Sequence, residues 1–277
     1  AAQTAAAAAA PAASPAAAPA PAPTPAPKKP DPPTIIDEIF GGELRSTVVC
    51  MRCRRISCAR EPFLDLSLSI PIQEKPPEPT PAEAMRAARS KAPPPPPPPV
   101  TTLEDCLSAF QAKEDLVGDD AYECEACAKD DAAAAQEGAP PSPTMRQRAL
   151  KVLHVSKSPP VLTLHLKRFA AINGAMHKVD ERVRFPSSVH VDMFPDAATS
   201  LEQLSAGAGR TSLRYELYGV VEHSGSYRDG HYIAYTRGGG PNSWHRFSDS
   251  KVSEVTEEEA LAAQAFLLFF RCAAASS

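Results

Sequence analysis

Nowhere in the 277 residues does an apolar run reach the roughly 20 needed to cross a bilayer as a helix. The N-terminal alanine run also lacks the basic flank and leucine-rich core of a secretory signal. We therefore expect a soluble, intracellular protein, cytoplasmic or nuclear, with no membrane contact. An excess of positive charge is missing as well: 29 Lys and Arg against 33 Asp and Glu leave a net charge of −4. That balance gives no basic surface for a phosphate backbone, which argues against nucleic acid as a partner. Aromatic residues make up only 6% of the chain and tryptophan occurs once. We assign that residue, Trp244, to packing across from Tyr235 on a paired strand. An even set of cysteines is also absent: there are seven, which does not suit a disulfide framework.

What is abundant is proline, 31 residues of it, unevenly placed. Residues 1–34 alternate Ala and Pro and read as a disordered linker, since such a tract favours extended polyproline conformations and buries nothing. Two further low-complexity stretches, 71–99 and 132–143, read as disordered insertions, which a fold tolerates when their ends emerge close together. Residues 273–277 read as a tail. The chain opens on Ala1 rather than Met, inside a low-complexity tract, so we expect it to be a portion of a longer protein.

The remainder, 35–272, reads as one α+β unit. From Ile35 to Pro71 the β-branched and alternating apolar residues predict several strands around a "CMRC" turn. "TTLEDCLSAF" predicts a short helix capped by Thr102, with Asp105 at capping-box distance and Cys106 packed near the apolar face. "KVLHVSKSPPVLTLHLKRF", "RYELYGVVEHSG", "HYIAYTR" and "FLLFFR" predict an antiparallel sheet, with a Thr256-capped helix before the last strand.

Cys50/Cys53 and Cys124/Cys127 form two C-x-x-C pairs. A tight turn of this kind aims two sulfurs at one metal, and two such knuckles complete a tetrahedral site of the zinc-ribbon kind with no open position. No βαβ context surrounds either pair, as a redox motif would require. We expect one structural zinc.

His231 follows Gly230 and begins an alternating strand whose residues His231, Ile233 and Tyr235 share a face. In a cysteine hydrolase an imidazole takes the thiol proton while a third residue holds the ring. "WHRFSDS" offers Ser248 and Asp249 for that third role, on a strand that a Gly-Gly-Gly-Pro turn returns beside "HYIAY". His154, His165, His177 and His190 read as surface or satisfied core residues.

With "FGGELRSTVVCMRC", "EPFLDLSL", "TLEDCLSAF", "YECEAC", "VLTLHLKRF", "YELYGVVEHSGSYRDGHYIAY", "WHRFSDSKV" and "AFLLFF" in this order, the chain resembles the ubiquitin-specific proteases. The resemblance runs from about Ile39 to Arg271. It implies a papain-like fold with an antiparallel palm sheet, zinc-ribbon fingers and a thumb that is missing here. It implies hydrolysis of the (iso)peptide bond at ubiquitin's C-terminal glycine, with ubiquitin and ubiquitinated proteins as partners of a monomer. The four knuckle cysteines correspond to the zinc ligands and His231 to the catalytic base. His223, Gly225, Gly230 and Tyr232 border the channel for ubiquitin's tail, and Lys167, Arg168 and Phe169 resemble a palm segment whose polar groups touch ubiquitin.

Two departures stand out. The residue after Phe247 is usually Asp or Asn in the family and is Ser248 here, which leaves Ser248 and Asp249 competing for the orienting role. No Gly-Asn-Thr-Cys-Tyr-like nucleophile motif occurs in the 277 residues. Cys58, Cys106 and Cys272 are poor substitutes, because the nucleophile must come within hydrogen-bond reach of His231. We expect the nucleophile upstream of Ala1 and this portion alone to be inactive. The alternative is a non-catalytic ubiquitin-binding or scaffold module.

Overall fold

Thr34 receives the Asp37 amide on its hydroxyl while the Asp37 carboxylate reaches back to the Thr34 amide, and this reciprocal cap starts helix α1, Ile35–Phe40. The computed structural model describes residues 32–71, 100–136, 146–172, 175–194, 210–240 and 243–273. Of the disordered segments expected at 1–34, 71–99 and 132–143, residues 1–31, 72–99 and 137–143 lie outside them, as does most of the tail. Two expectations are corrected. Ile35–Phe40 is a helix rather than the first strand, because the Thr34–Asp37 cap outweighs the β-branched pair. The stretch from Ala132 is not wholly a loop: the helix begun at Glu125 runs through to Gln136, as alanine's top helix propensity favours.

After α1 come β1 (Gly42–Cys50), β2 (Ile56–Phe63) and β3 (Leu66–Leu68), then α2 (Leu103–Phe110). β4 (Glu114–Leu116), β5 (Tyr122–Glu123), α3 (Glu125–Gln136) and β6 (Arg146–Gln147) follow. Next are β7 (Ala149–Lys157), β8 (Val161–Leu166), β9 (Phe169–Ile172), β10 (Ala175–Lys178) and β11 (Ser188–Met193). The chain closes with β12 (Thr211–Gly225), β13 (Gly230–Arg237), β14 (Trp244–Ser248), β15 (Lys251–Val255), α4 (Glu257–Leu261) and β16 (Ala265–Cys272). The expected caps form at Thr102 and Thr256, each a reciprocal box with the acid three residues on.

Among the described residues a 12-stranded sheet has the main path β15-β14-β13-β12-β11-β7-β1-β2, with β16, β8, β3 and β4 joined off it. Its pairing is antiparallel except for β3 with β8 and a single parallel pair between β11 and β7. The long β12 is the branch point. Its first half pairs with β11 and its second half with β13 along one edge, while β16 takes the other edge and passes on to β8.

The core lies on one face of this sheet. Leu162, Leu164, Leu166, Leu217, Leu268 and Phe270 are fully buried there, with Leu103 and Cys106 of α2 packed against them. The expected burial of Cys106 follows from its place on that helix, and burial pushes its thiol up to about 11. Trp244 is fully buried too, but the register sets it opposite Arg237, one diagonal step from Tyr235 rather than across from it. Among the described residues no helix is long and apolar enough to cross a membrane.

Candidate active site and metal centre

β1 ends at Cys50, the chain turns through Met51–Cys53, and Arg54 adopts a left-handed φ of 61° with its amide donating to the Cys50 carbonyl. The second knuckle opens α3, where the Ala128 amide donates to the Cys124 carbonyl. The two knuckles, about 70 positions apart in the chain, meet in space. All four sulfurs lie within 4.8 Å of one another, with Cys50 and Cys127 at 3.8 Å and Cys53 and Cys124 at 3.6 Å.

These separations decide between two chemistries. A disulfide needs about 2.05 Å between sulfurs, whereas four thiolates at about 2.3 Å from a tetrahedral zinc stand roughly 3.8 Å apart. The residues fit a metal ion. Burial and the neighbouring thiols push Cys127 up to about 12, so a cation is what makes four adjacent thiolates tenable. Arg52 clips the first knuckle to the helix of the second by a bidentate pair with Asp131, at 2.8 and 2.6 Å.

At the far end of the sheet, β12 and β13 form a hairpin in which Gly225 faces Gly230 and Ser224 faces His231. Both glycines are required. Gly225 has φ +99°, and a Cβ on Gly230 would lie 1.9 Å from His223 Nε2. His223 is thus packed beneath the hairpin, 5% exposed, with its ring centroid 4.6 Å from Tyr232, 5.4 Å from Phe169 and 6.0 Å from Phe266. Burial, aided by Lys178, lowers its pKa. Tyr232 is 56% exposed. Lys178 on β10 donates to the carbonyls of His223 and Gly225 at 3.0 and 3.2 Å, fastening the hairpin. No local pattern marks that lysine, because its partners are 45 and 47 residues away.

His231 Nε2 lies 2.7 Å from Ser248 Oγ, while Asp249 Oδ2 stands 4.0 Å from Nδ1. Asp249 occupies the turn between β14 and β15 with a left-handed φ of 51°, and its side chain is 84% exposed. Both candidates for the third position therefore reach His231, Ser248 by a hydrogen bond and Asp249 by a longer electrostatic contact.

The remaining thiols are elsewhere. Cys272 faces Tyr215 and His231 faces Ser224, nine residues along the same strand and so roughly 30 Å apart. Cys58 stands opposite Thr47 on the distant β1–β2 hairpin, and Cys106 is sealed in the core. Arg168 corrects another expectation. It is 1% exposed and faces inward, donating to the carbonyls of Ala265, Val179 and Glu181, so it staples loops rather than meeting a partner.

Residues 24–270 match the family model described as ubiquitin carboxyl-terminal hydrolase. Ubiquitin carboxyl-terminal hydrolase 8 of Saccharomyces cerevisiae is 32% identical over 239 residues, 85% of this chain and 41% of that protein. Human ubiquitin carboxyl-terminal hydrolase 3 is 36% identical over 238 residues, 86% of this chain and 39% of that protein. Among solved structures, the SAGA Ubp8/Sgf11/Sus1/Sgf73 DUB module bound to ubiquitin aldehyde matches with a TM-score of 0.61 and 30% identity, over 87% of this chain and 43% of that one. The chain thus spans about 40% of the length of these curated relatives. With its matched span covering most of its length, the chain belongs to the ubiquitin carboxyl-terminal hydrolase family.

Proposed function

We propose that the protein is a thiol-dependent deubiquitinase, to which this chain contributes the base and its orienter and in which the nucleophilic cysteine comes from residues outside these 277. The observation that carries the reading is the 2.7 Å contact of His231 Nε2 with Ser248 Oγ. A neutral ring with its proton on Nε2 donates to Ser248 and leaves the Nδ1 lone pair to accept the thiol proton. The thiolate then attacks the carbonyl of ubiquitin's C-terminal glycine. Nδ1–H protonates the departing lysine amine, and Nδ1 next takes a proton from the water that hydrolyses the thioester.

Ser248 is the orienter in this scheme and Asp249 stabilises the imidazolium. An exposed pair at 4.0 Å contributes little, about 0.2–1 kcal/mol. Tyr232, Gly225, Gly230 and the underlying His223 form the rim along which ubiquitin's tail runs. Cys50, Cys53, Cys124 and Cys127 would hold zinc as thiolates, and with no open coordination position the metal supplies folding energy to the fingers.

The test is to incubate the full-length protein with ubiquitin bearing a thiol-reactive C-terminal warhead. Labelling should be abolished by His231→Ala and slowed about 10- to 100-fold by Ser248→Ala. Labelling indifferent to His231→Ala overturns the assignment, and a full-length protein that binds ubiquitin without reacting is a scaffold.

A further inference from the structure

We infer that Glu222, Tyr235 and Arg246 form a cross-strand brace that sets the distance between His231 and Ser248, making them positioning residues for the base. The inference rests on the roles given above to His231 and Ser248. The three residues come from three adjacent strands, β12, β13 and β14. Tyr235 stands directly opposite Arg246, and Glu222 opposite Ile233, one diagonal step from Tyr235. The Tyr235 hydroxyl donates to Glu222 Oε2 at 3.3 Å. Arg246, directly across from Tyr235 on the same face, opposes the rise in the hydroxyl's pKa that burial causes.

No pair of the β13–β14 ladder holds the contact directly. The β13–β14 ladder ends at Ala234 opposite Phe247. Extending that register by one pair sets Ile233 against Ser248, and by three sets His231 against Ser250. The His231–Ser248 hydrogen bond is therefore a diagonal one beyond the last paired residues, where any sliding of one strand along the other changes it directly. On its other side the tip of β14 is held by the two-residue turn at Asp249 and Ser250.

Strand alternation puts His231, Ile233 and Tyr235 on one face of β13, and Trp244, Arg246 and Ser248 on the same face of β14. The last side-chain pair on that face before the His231–Ser248 contact is Tyr235 with Arg246. Trp244, one pair further back, fills volume but gives no direction. The brace is polar and directional, and it links β14 through β13 to the central β12, whose own hairpin carries His231.

The 277-residue chain with 15N-labelled histidine tests this, by following the His231 ring nitrogens in two-bond proton–nitrogen correlation spectra. Tyr235→Phe and Glu222→Ala should move the Nε2 resonance toward its position in Ser248→Ala. Glu222→Gln, which keeps an acceptor for the hydroxyl, should stay with the unsubstituted chain. Should Tyr235→Phe lose the buried emission of Trp244, the Glu222→Ala and Glu222→Gln pair decides by the same comparison. A resonance unmoved by Tyr235→Phe and Glu222→Ala, yet moved by Ser248→Ala, overturns the brace alone. A resonance unmoved by Ser248→Ala overturns the role of Ser248 and the brace with it.

Discussion

Adding one methyl group at Gly230 tests the packing that underlies the site. A Cβ there would meet His223 Nε2 at 1.9 Å, Cε1 at 2.7 Å and the Ser224 carbonyl oxygen at 2.8 Å. An ordinary contact is about 3.5 Å, so the imidazole must retreat by roughly 1.5 Å. It has little room to do so, being wedged against Tyr232, Phe169 and Phe266, with its carbonyl held by Lys178. Overpacking of this kind costs about 1–3 kcal/mol. At a urea m-value of about 2–3 kcal/mol/M, a loss of ~2 kcal/mol moves the midpoint down by roughly 0.7–1 M. The assay is urea unfolding followed by the emission of Trp244. The discriminating step is a double-mutant cycle: with His223→Ala in place, the ring is gone and Gly230→Ala should cost less than ~0.5 kcal/mol. There the remaining contact with Ser224 offsets the ~0.4–1 kcal/mol that alanine gains by restricting the unfolded chain. Additive costs, agreeing within ~0.5 kcal/mol in the two backgrounds, would refute the packing argument.

Metal analysis of the purified chain should find one zinc, lost in Cys124→Ser together with hydrogen-exchange protection of α3 and the β1–β2 turn; a fully folded metal-free protein is the contrary result. Stability should fall on acidification below about pH 6.5. Burial lowers the pKa values of His154, His165 and His223, so the unfolded state binds their protons first, and the stability present above pH 6.5 is lost as pH drops toward the folded-state values. Urea midpoints between pH 5 and 7.5 check this, and a His223→Gln variant with an undiminished slope would remove His223 from the account.

Local chemistry was readable wherever it is set by near neighbours. The C-x-x-C spacing announced the knuckles, Thr102 and Thr256 announced their helices through the acids three residues on, and period-two alternation announced β12 and β13. The same capping signal stood at Thr34 and Asp37, yet "TIID" reads as strand when Ile35 and Ile36 are weighed alone. Likewise the alanines after Asp131 read as loop only because proline follows them. What spacing could not supply is register. Trp244 opposite Arg237 rather than Tyr235, Arg168 turned inward, and Lys178 reaching β12 all depend on how distant strands align. His231 and Ser248 were legible as candidates for one site, while the diagonal geometry that joins them was not.

The place of β16 has a consequence for how the molecule comes together. Its residues Leu268 and Phe270 are fully buried between β12 and β8, yet it follows both of them in the chain. During synthesis β8 and β12 are complete while the strand that joins them is still missing, and each carries an open edge of unpaired amides and carbonyls. Closure of the sheet is therefore a late, long-range event. Nascent chains stalled before Ala265 would present two sticky edges, which makes the arrival of β16 a step where folding competes with aggregation.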